Sequence, residues 1–141
     1  MPASNLVLLD THVWLWMMNG DKRLAASSSL LVIQEAVKLS RGRISAISVW
    51  EVGMLDARGR IRLPTDCLEW VREALTAPGI SLAPLTPEIA IESSRLPGAF
   101  HRDPADRIIV ATARSLRATI VTHDERIVSY GALGHVAVLP V

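Results

Sequence analysis

The chain has 141 residues, 50% of them hydrophobic and 21% charged, which excludes a disordered tail and suits one compact domain over residues 1–141 with apolar surface to hide. Fifteen Lys and Arg against 14 Asp and Glu leave a net charge of +1, so bulk charge marks the chain for neither nucleic acid nor membrane and any charge signal has to be local. Cys67 is the single cysteine, which rules out an intrachain disulfide or a cysteine metal cluster and fits a reducing cytosol.

In chain order, the apolar opening "NLVLLDTHVWLWMM" is broken by Asp10 and His12. It lacks a basic leader and a small-residue cleavage site, so it is not expected to be a signal peptide, and it is too short to span a bilayer. "LVLLD" (6–10) predicts a buried strand ending in an acid, with a helix after Asp10. "RISAIS" (43–48) alternates as a strand, and Val49, Val52, Met54 and Leu55 in "VWEVGMLDARGR" suit a helix. "PTDCLEWVREAL" (64–75) predicts a helix opened by Pro64, "GISLAPL" (79–85) an extended segment, and "TPEIAIESSRL" (86–96) a helix with Thr86 as cap and Pro87 in its first position. "RDPADRIIVATARSL" (102–116) predicts another helix, "ATIVT" (118–122) a buried strand, Asp124 to about Tyr130 a short helix, and "HVAVLPV" (135–141) a last strand. Strands separated by helices imply an α/β fold: an open, mainly parallel sheet with helices on both faces.

The acids fall at telling places. Asp10 ends the first strand, Glu51 follows the second, Asp103 and Asp106 open a helix, and Asp124 follows "IVT". In open parallel sheets, ligands bind at the carboxyl ends of strands and the helix starts beside them. Each acid taken alone also fits a helix cap: Asp103 before Pro104, Asp106 as a capping-box acid, Ser48 with Glu51, and Thr122 with Glu125. As a set they differ, because carboxylates crowded into one cleft repel one another and stay ionised only with a compensating cation. Hard oxygen ligands, without cysteine and without a zinc spacing among His12, His101, His123 and His135, favour Mg²⁺ or Mn²⁺. Such an ion suits phosphodiester hydrolysis.

The blocks "LLDTHVWLW", "ISAISVWEVGML", "GRIRLP", "LTPEIAIESSRLPG", "HRDPADRIIVATA" and "IVTHDERI", in this order, resemble the PIN-domain family, in particular the VapC-type toxins of bacterial toxin–antitoxin pairs. The resemblance covers residues 6 to 130, and the ordered set of blocks is far more specific than any single acid. It implies a three-layer α/β/α domain, a Mg²⁺ or Mn²⁺ site and endoribonuclease activity. The family acids correspond to Asp10, Glu51, Asp106 and Asp124, with Asp103 and Thr122 as auxiliary positions. The expected arrangement has Asp10 and Asp106 as principal metal ligands, with Glu51 and Asp124 acting through water, on a second ion, or on the attacking water. The resemblance further implies an RNA substrate, a homodimer, and a cognate VapB-type antitoxin whose tail blocks the cleft, sometimes with an arginine among the carboxylates.

Some residues carry two readings at this stage. Arg102, Arg107 and Arg126 beside the acids suit phosphate oxygens or plain ion pairs. "RGR" (41–43) and "RGRIR" (58–62) suit an RNA path or solvated loops, and His12 a structural place at a helix start. Trp14, Trp16, Trp50 and Trp70 fit the core by helical spacing. Rival functions are a PIN nuclease of RNA processing without an antitoxin and a non-catalytic RNA- or protein-binding module. A phosphoacceptor receiver domain fits poorly, because the only lysines are Lys22 and Lys38, neither after a late strand.

Overall fold

The computed structural model describes residues 4–141. Its centre is a sheet of five strands, β1 (Val7–Leu9), β2 (Gly42–Ser45), β3 (Ile80–Ala83), β4 (Thr119–Thr122) and β5 (Ala137–Pro140), in the order β3-β2-β1-β4-β5. All four pairings are parallel, with Leu8 opposite Arg43 on one side and Ile120 on the other. Eight helices connect and flank the strands: α1 (Thr11–Asn19), α2 (Lys22–Ala25), α3 (Ser29–Lys38), α4 (Ala46–Ala57), α5 (Cys67–Leu75), α6 (Pro87–Glu92), α7 (Pro104–Leu116) and α8 (Glu125–Ala132).

Side-chain alternation along β1 splits the core into two. Val7 and Leu9 join Ile44 and Val121 beneath Trp14 of α1, Ile33 of α3 and Trp70 and Val71 of α5. Leu8 turns to the opposite face, where Ile120 packs with Ile109, Val110 and Ala113 of α7 and with Ile127 and Tyr130 of α8. A strand buried on both faces needs a continuous apolar run, and "VLL" supplies it. The result is the three-layer α/β/α arrangement expected from the sequence.

Chain reversal lies between β1 and β4. Successive strands β1, β2 and β3 step outward one way, whereas β4 and β5 lie on the other side of β1. The carboxyl ends of β1 and β4 are therefore neighbours at the point where the strand order reverses, which is where α/β sheets open a crevice. The junction is tied by the Asp10 amide, which donates to the Val121 carbonyl at 2.9 Å.

Several local expectations are corrected. Helix α4 begins earlier than its periodicity suggests, because Ser45 caps it by accepting from the Ile47 amide; Ser48 is thus inside the helix and Glu51 lies in its second turn. Asp124, not Thr122, caps α8, accepting from the Arg126 and Ile127 amides. Asp66, not Pro64, opens α5. Residues 22–38, unassigned by the sequence reading, form α2 and α3. Trp14, Trp16 and Trp70 are buried, but Trp50 is 58% exposed on the outer face of α4.

Candidate active site

Four segments bring five carboxylates to one cavity of about 430 Å³ at the carboxyl edge of the sheet. It is lined by Asp10, Glu51, Asp103, Asp106 and Asp124, with Arg23 and Arg126 among the other walls. Each acid is aimed by its element. Asp10 is the N-cap of α1, Glu51 projects from the second turn of α4, Asp103 and Asp106 come from the start of α7, and Asp124 caps α8.

Hydroxyl groups set Asp10 and Glu51. Thr122, fully buried, donates to Asp10 Oδ2 at 2.6 Å while its own oxygen accepts from the Asp124 amide at 3.0 Å. One hydroxyl thereby ties the acid after β1 to the acid after β4. Asp10 Oδ1 accepts from the Thr11 amide at 2.8 Å. Thr11 Oγ1 donates to Glu51 Oε1 at 2.6 Å and lies 2.9 Å from Ser48 Oγ, which joins α1 to α4. Asp103 does act as a cap, with Oδ1 accepting from the Ala105 and Asp106 amides. Asp106 does not reach back as a capping-box acid; its Oδ2 sits 3.0 Å from His101 Nε2.

The electrostatics follow from this crowding. Burial, and then the charges of Asp10, Asp103, Asp124 and Glu51, push the Asp106 carboxyl up to about 8. Burial likewise raises Asp10, against the stabilising bond from Thr122, and raises Glu51, against the bond from Thr11. Five acids face two arginines on these walls, and like charges in a partly desolvated cleft favour either protonation or a counter-cation.

The donor set has the chemistry of a hard cation. Glu51 Oε2, Asp103 Oδ2, Asp106 Oδ1 and Asp124 Oδ2 accept from no donor among the described residues; the sister oxygens of Glu51, Asp103 and Asp124 are hydrogen-bonded, and Asp106 Oδ2 lies near His101 Nε2, a buried nitrogen without a hydrogen-bond partner. The side chains do not form a closed cage as they stand: among the described residues no three His, Cys, Asp or Glu groups are gathered at ligand spacing. Carboxylates that share walls, with free oxygens and unfavourable mutual charge, suit a six-coordinate ion that retains water.

Basic residues divide by position. Arg126 and Arg23 line the cavity; Arg23 pairs with Asp21 at 2.8 Å and lies 4.5 Å above the Trp16 ring. Arg107 is turned away, its guanidinium donating to the carbonyls of Ser93, Phe100 and His101. Arg102 is exposed and absent from the cavity wall. Arg43 donates to Ser40 and Gly42 carbonyls at the amino end of β2, the sheet edge opposite the acids. The 58–62 loop follows the far end of α4, roughly 18 Å along that helix from the strand edge. His12 is exposed and lines the cavity, which contradicts a purely structural place.

Sequence reasoning gave Thr11 no role, read Ser48 only as a cap and named His101 only among histidines that lack a zinc spacing. The hydroxyl directly after Asp10 was a usable signal for Thr11, since a residue at the strand-to-helix turn shares the edge with its acid. His101 had none, because its approach to Asp106 depends on the path of the 93–103 loop.

Comparison with known proteins agrees with this architecture. The PIN domain family model matches residues 7–133. The chain is 36% identical over 124 residues to Ribonuclease VapC22 of Mycobacterium tuberculosis, covering 88% of this chain and 91% of that protein. Among solved structures, it resembles DNA-bound VapBC from Salmonella typhimurium with a TM-score of 0.66 at 17% identity, covering 97% of this chain and 98% of the other. VapBC2 from Rickettsia felis bound to a promoter DNA fragment gives a TM-score of 0.64 at 13% identity, covering 96% and 98%.

Proposed function

Because the chain belongs to the PIN-domain family, we propose that it is a metal-dependent endoribonuclease, one domain over residues 1–141, acting as the toxin of a VapBC-type pair. The observation that carries the reading is the convergence of Asp10, Glu51, Asp103, Asp106 and Asp124 on one strand-end cavity. Likeness to a ribonuclease and to complexes of VapBC type supports the substrate class and the partner, a VapB-type antitoxin. The reading extends to a homodimer in the cytoplasm; no described helix is long and apolar enough to cross a membrane.

Asp10 and Asp106 are the residues we assign to hold Mg²⁺ or Mn²⁺, with Glu51 and Asp124 as outer or second-ion ligands. When bound, such an ion supplies positive charge for a phosphate under in-line attack and makes a nearby water more acidic. The chain's own groups do the rest. Thr122 and the Thr11 amide fix Asp10, so that it needs little reorganisation to meet charge in the cleft. Thr11 fixes Glu51 with one oxygen free to accept a proton or a water. Arg126 and Arg23 at the cavity wall are placed to draw a polyanionic strand toward acids that would otherwise repel it. Asp103 contributes charge to the cleft and starts α7, the helix that carries Asp106.

The test is RNA cleavage by purified, antitoxin-free protein with Mg²⁺ or Mn²⁺, beside a chelator control and the Asp10→Asn and Asp106→Asn variants. Cleavage that needs the metal and disappears in folded variants is expected. A folded wild type that binds RNA but cuts none across a broad panel would leave a binding module as the better reading.

A further inference from the structure

Arg126 stands between two cavities. On one side is the carboxylate cleft; on the other, a cavity of about 380 Å³ opens between helix α8 and the loop before α7. The walls of this second space include Phe100, Glu125, Arg126, Ser129, Tyr130 and Leu133, and the mechanism above makes no use of it.

Steps of four along α8 put Glu125, Ser129 and Leu133 on one side of the helix. The loop supplies the facing wall and is held in place by two elements. Tyr130, almost fully buried, donates its hydroxyl to the Pro97 carbonyl, and its ring lies 4.6 Å from that of Phe100 between centroids. From α7, Arg107 straps the same loop by donating to the Ser93 carbonyl at 2.8 Å and the Phe100 carbonyl at 3.1 Å. A terminal nitrogen of Arg126 lies 3.1 Å from His101 Nδ1, which keeps the guanidinium at the junction of the two cavities.

The lining suits a ligand that is apolar on its faces and polar at its edge. Leu133, 68% exposed, and Phe100 present apolar surface to the same space. The Glu125 carboxylate and the Ser129 hydroxyl line it too, and neither has a hydrogen-bond or ion-pair partner among the described residues. An aliphatic side chain would use neither polar group, and an inorganic anion would meet the Glu125 charge. An unpaired nucleobase uses both kinds of surface, packing its faces on aromatic and apolar groups and hydrogen-bonding along its edge. Position agrees with chemistry: a strand whose phosphate meets Arg126 carries the attached base toward this cavity and away from the acids.

We propose that this cavity is a nucleobase subsite beside the scissile bond, in which Arg126 holds the phosphate, Phe100 and Leu133 pack on the base, and Glu125 with Ser129 reads its edge. The proposal takes its substrate class from the nuclease reading above. A carboxylate only accepts, so Glu125 selects a base with an exocyclic amine. Cytosine, adenine and guanine each have one; uracil presents carbonyls on either side of its N–H and is disfavoured.

The experiment has two arms. Short RNAs that differ only in the base at each position around the cut should show one position where uridine lowers kcat/KM of wild type about fivefold or more relative to cytidine. Glu125→Gln, whose carboxamide both donates and accepts, should shrink that ratio to about twofold or less. Leu133→Ala should raise KM more than it lowers kcat. In the second arm, RNA carrying 5-iodocytidine at the selected position, or scanned through each position if no cut is seen, is irradiated with Asp10→Asn in Mg²⁺ and the cross-linked peptide identified by mass spectrometry. Attachment at Phe100 or Tyr130 is expected, whereas attachment confined to other parts of the chain would overturn the subsite. Unchanged base preference in folded Glu125→Gln and Leu133→Ala, with weakened binding of the VapB-type antitoxin, would give the cavity to the protein partner and overturn it as well. If wild type cut no RNA but the cross-link formed at Phe100 or Tyr130, the subsite would stand and the nuclease reading would fall; if neither occurred, both would fall.

Discussion

Thr122 shows how much one hydroxyl is asked to do at this site. It has no exposure, donates to a buried carboxylate at 2.6 Å and accepts from the amide of a second cleft residue at 3.0 Å. Replacing it with Val leaves a desolvated Asp10 oxygen and the Asp124 amide without their partner, at a cost of about 1–3 kcal/mol. Thr122→Val should therefore melt lower, by roughly 2–4 °C for each kcal/mol, and lose RNA cleavage, whereas Thr122→Ser should stay near wild type in both. Calorimetry with an RNA cleavage assay checks it; equal melting of the Val variant and wild type would remove Thr122 from the account. At this scale the sequence was legible where a residue's place follows from a strand end, as for Asp10 and Asp124. It was misleading where a local pattern had a rival one step away. Ser48 and Glu51 have capping-box spacing, but Ser45 ends β2 and takes the cap first, so Ser48 turns inward to Thr11 instead. Trp50 has the helical spacing of a core residue, yet α4 presents Val52 to the core and Trp50 to the outside.

Helix α7 is the element through which capping and site geometry meet. Asp103 accepts from two amides of its first turn and also adds charge to the cleft, so an alanine there removes both roles at once. A serine removes only the charge. Asp103→Ala should lose about 1 kcal/mol of stability, while Asp103→Ser should melt close to wild type; if the two melt alike, the cap is not what Asp103 contributes. The strap from the same helix makes a separate forecast. Arg107→Ala frees three carbonyls of the 93–101 segment, so amide exchange should quicken across residues 93–103 with little change in α1 or α4. RNA affinity measured at low and high salt should keep the wild-type salt dependence, because Arg107 faces carbonyls and not the cavity; a flatter dependence would place it on phosphate after all. Element-level legibility followed capping strength. Helices α6 and α7, with Thr86 or Asp103 before a proline, were readable from their first residues. Helices α2 and α3 were not: α2 has four residues, and Ser28 before α3 makes no side-chain cap bond. Helix α3 is held by packing Ile33 and Ala36 on the sheet, a tertiary cause that local sequence does not display.

At the scale of the whole molecule, the price of the cleft is a stability that depends on pH. A carboxyl whose folded pKa lies above its unfolded value binds more protons folded than unfolded in the interval between them, so stability falls as pH rises through that interval. For Asp106 the interval runs from the ordinary 3.8 up to about 8, with burial as the main cause and the neighbouring acids next. Asp10 and Glu51 shift in the same direction. The exposed Asp21, lowered to about 2 by Arg23, has the opposite sign, but its effect is confined to strongly acid solution. In chelator, the protein should therefore melt progressively lower from about pH 5 to about pH 8. Asp106→Asn removes a shift that reaches about 8, so its melting curve should be flatter and lie above wild type at the alkaline end by about 1–2 kcal/mol. Added Mn²⁺ should raise the wild-type melting temperature at neutral pH through binding to the folded state, with little effect on Asp106→Asn. A metal-free wild type whose stability stays level or climbs across that range would mean that the cleft acids relax apart on their own, and that crowding of carboxylates is not what prepares this edge of the sheet for a cation.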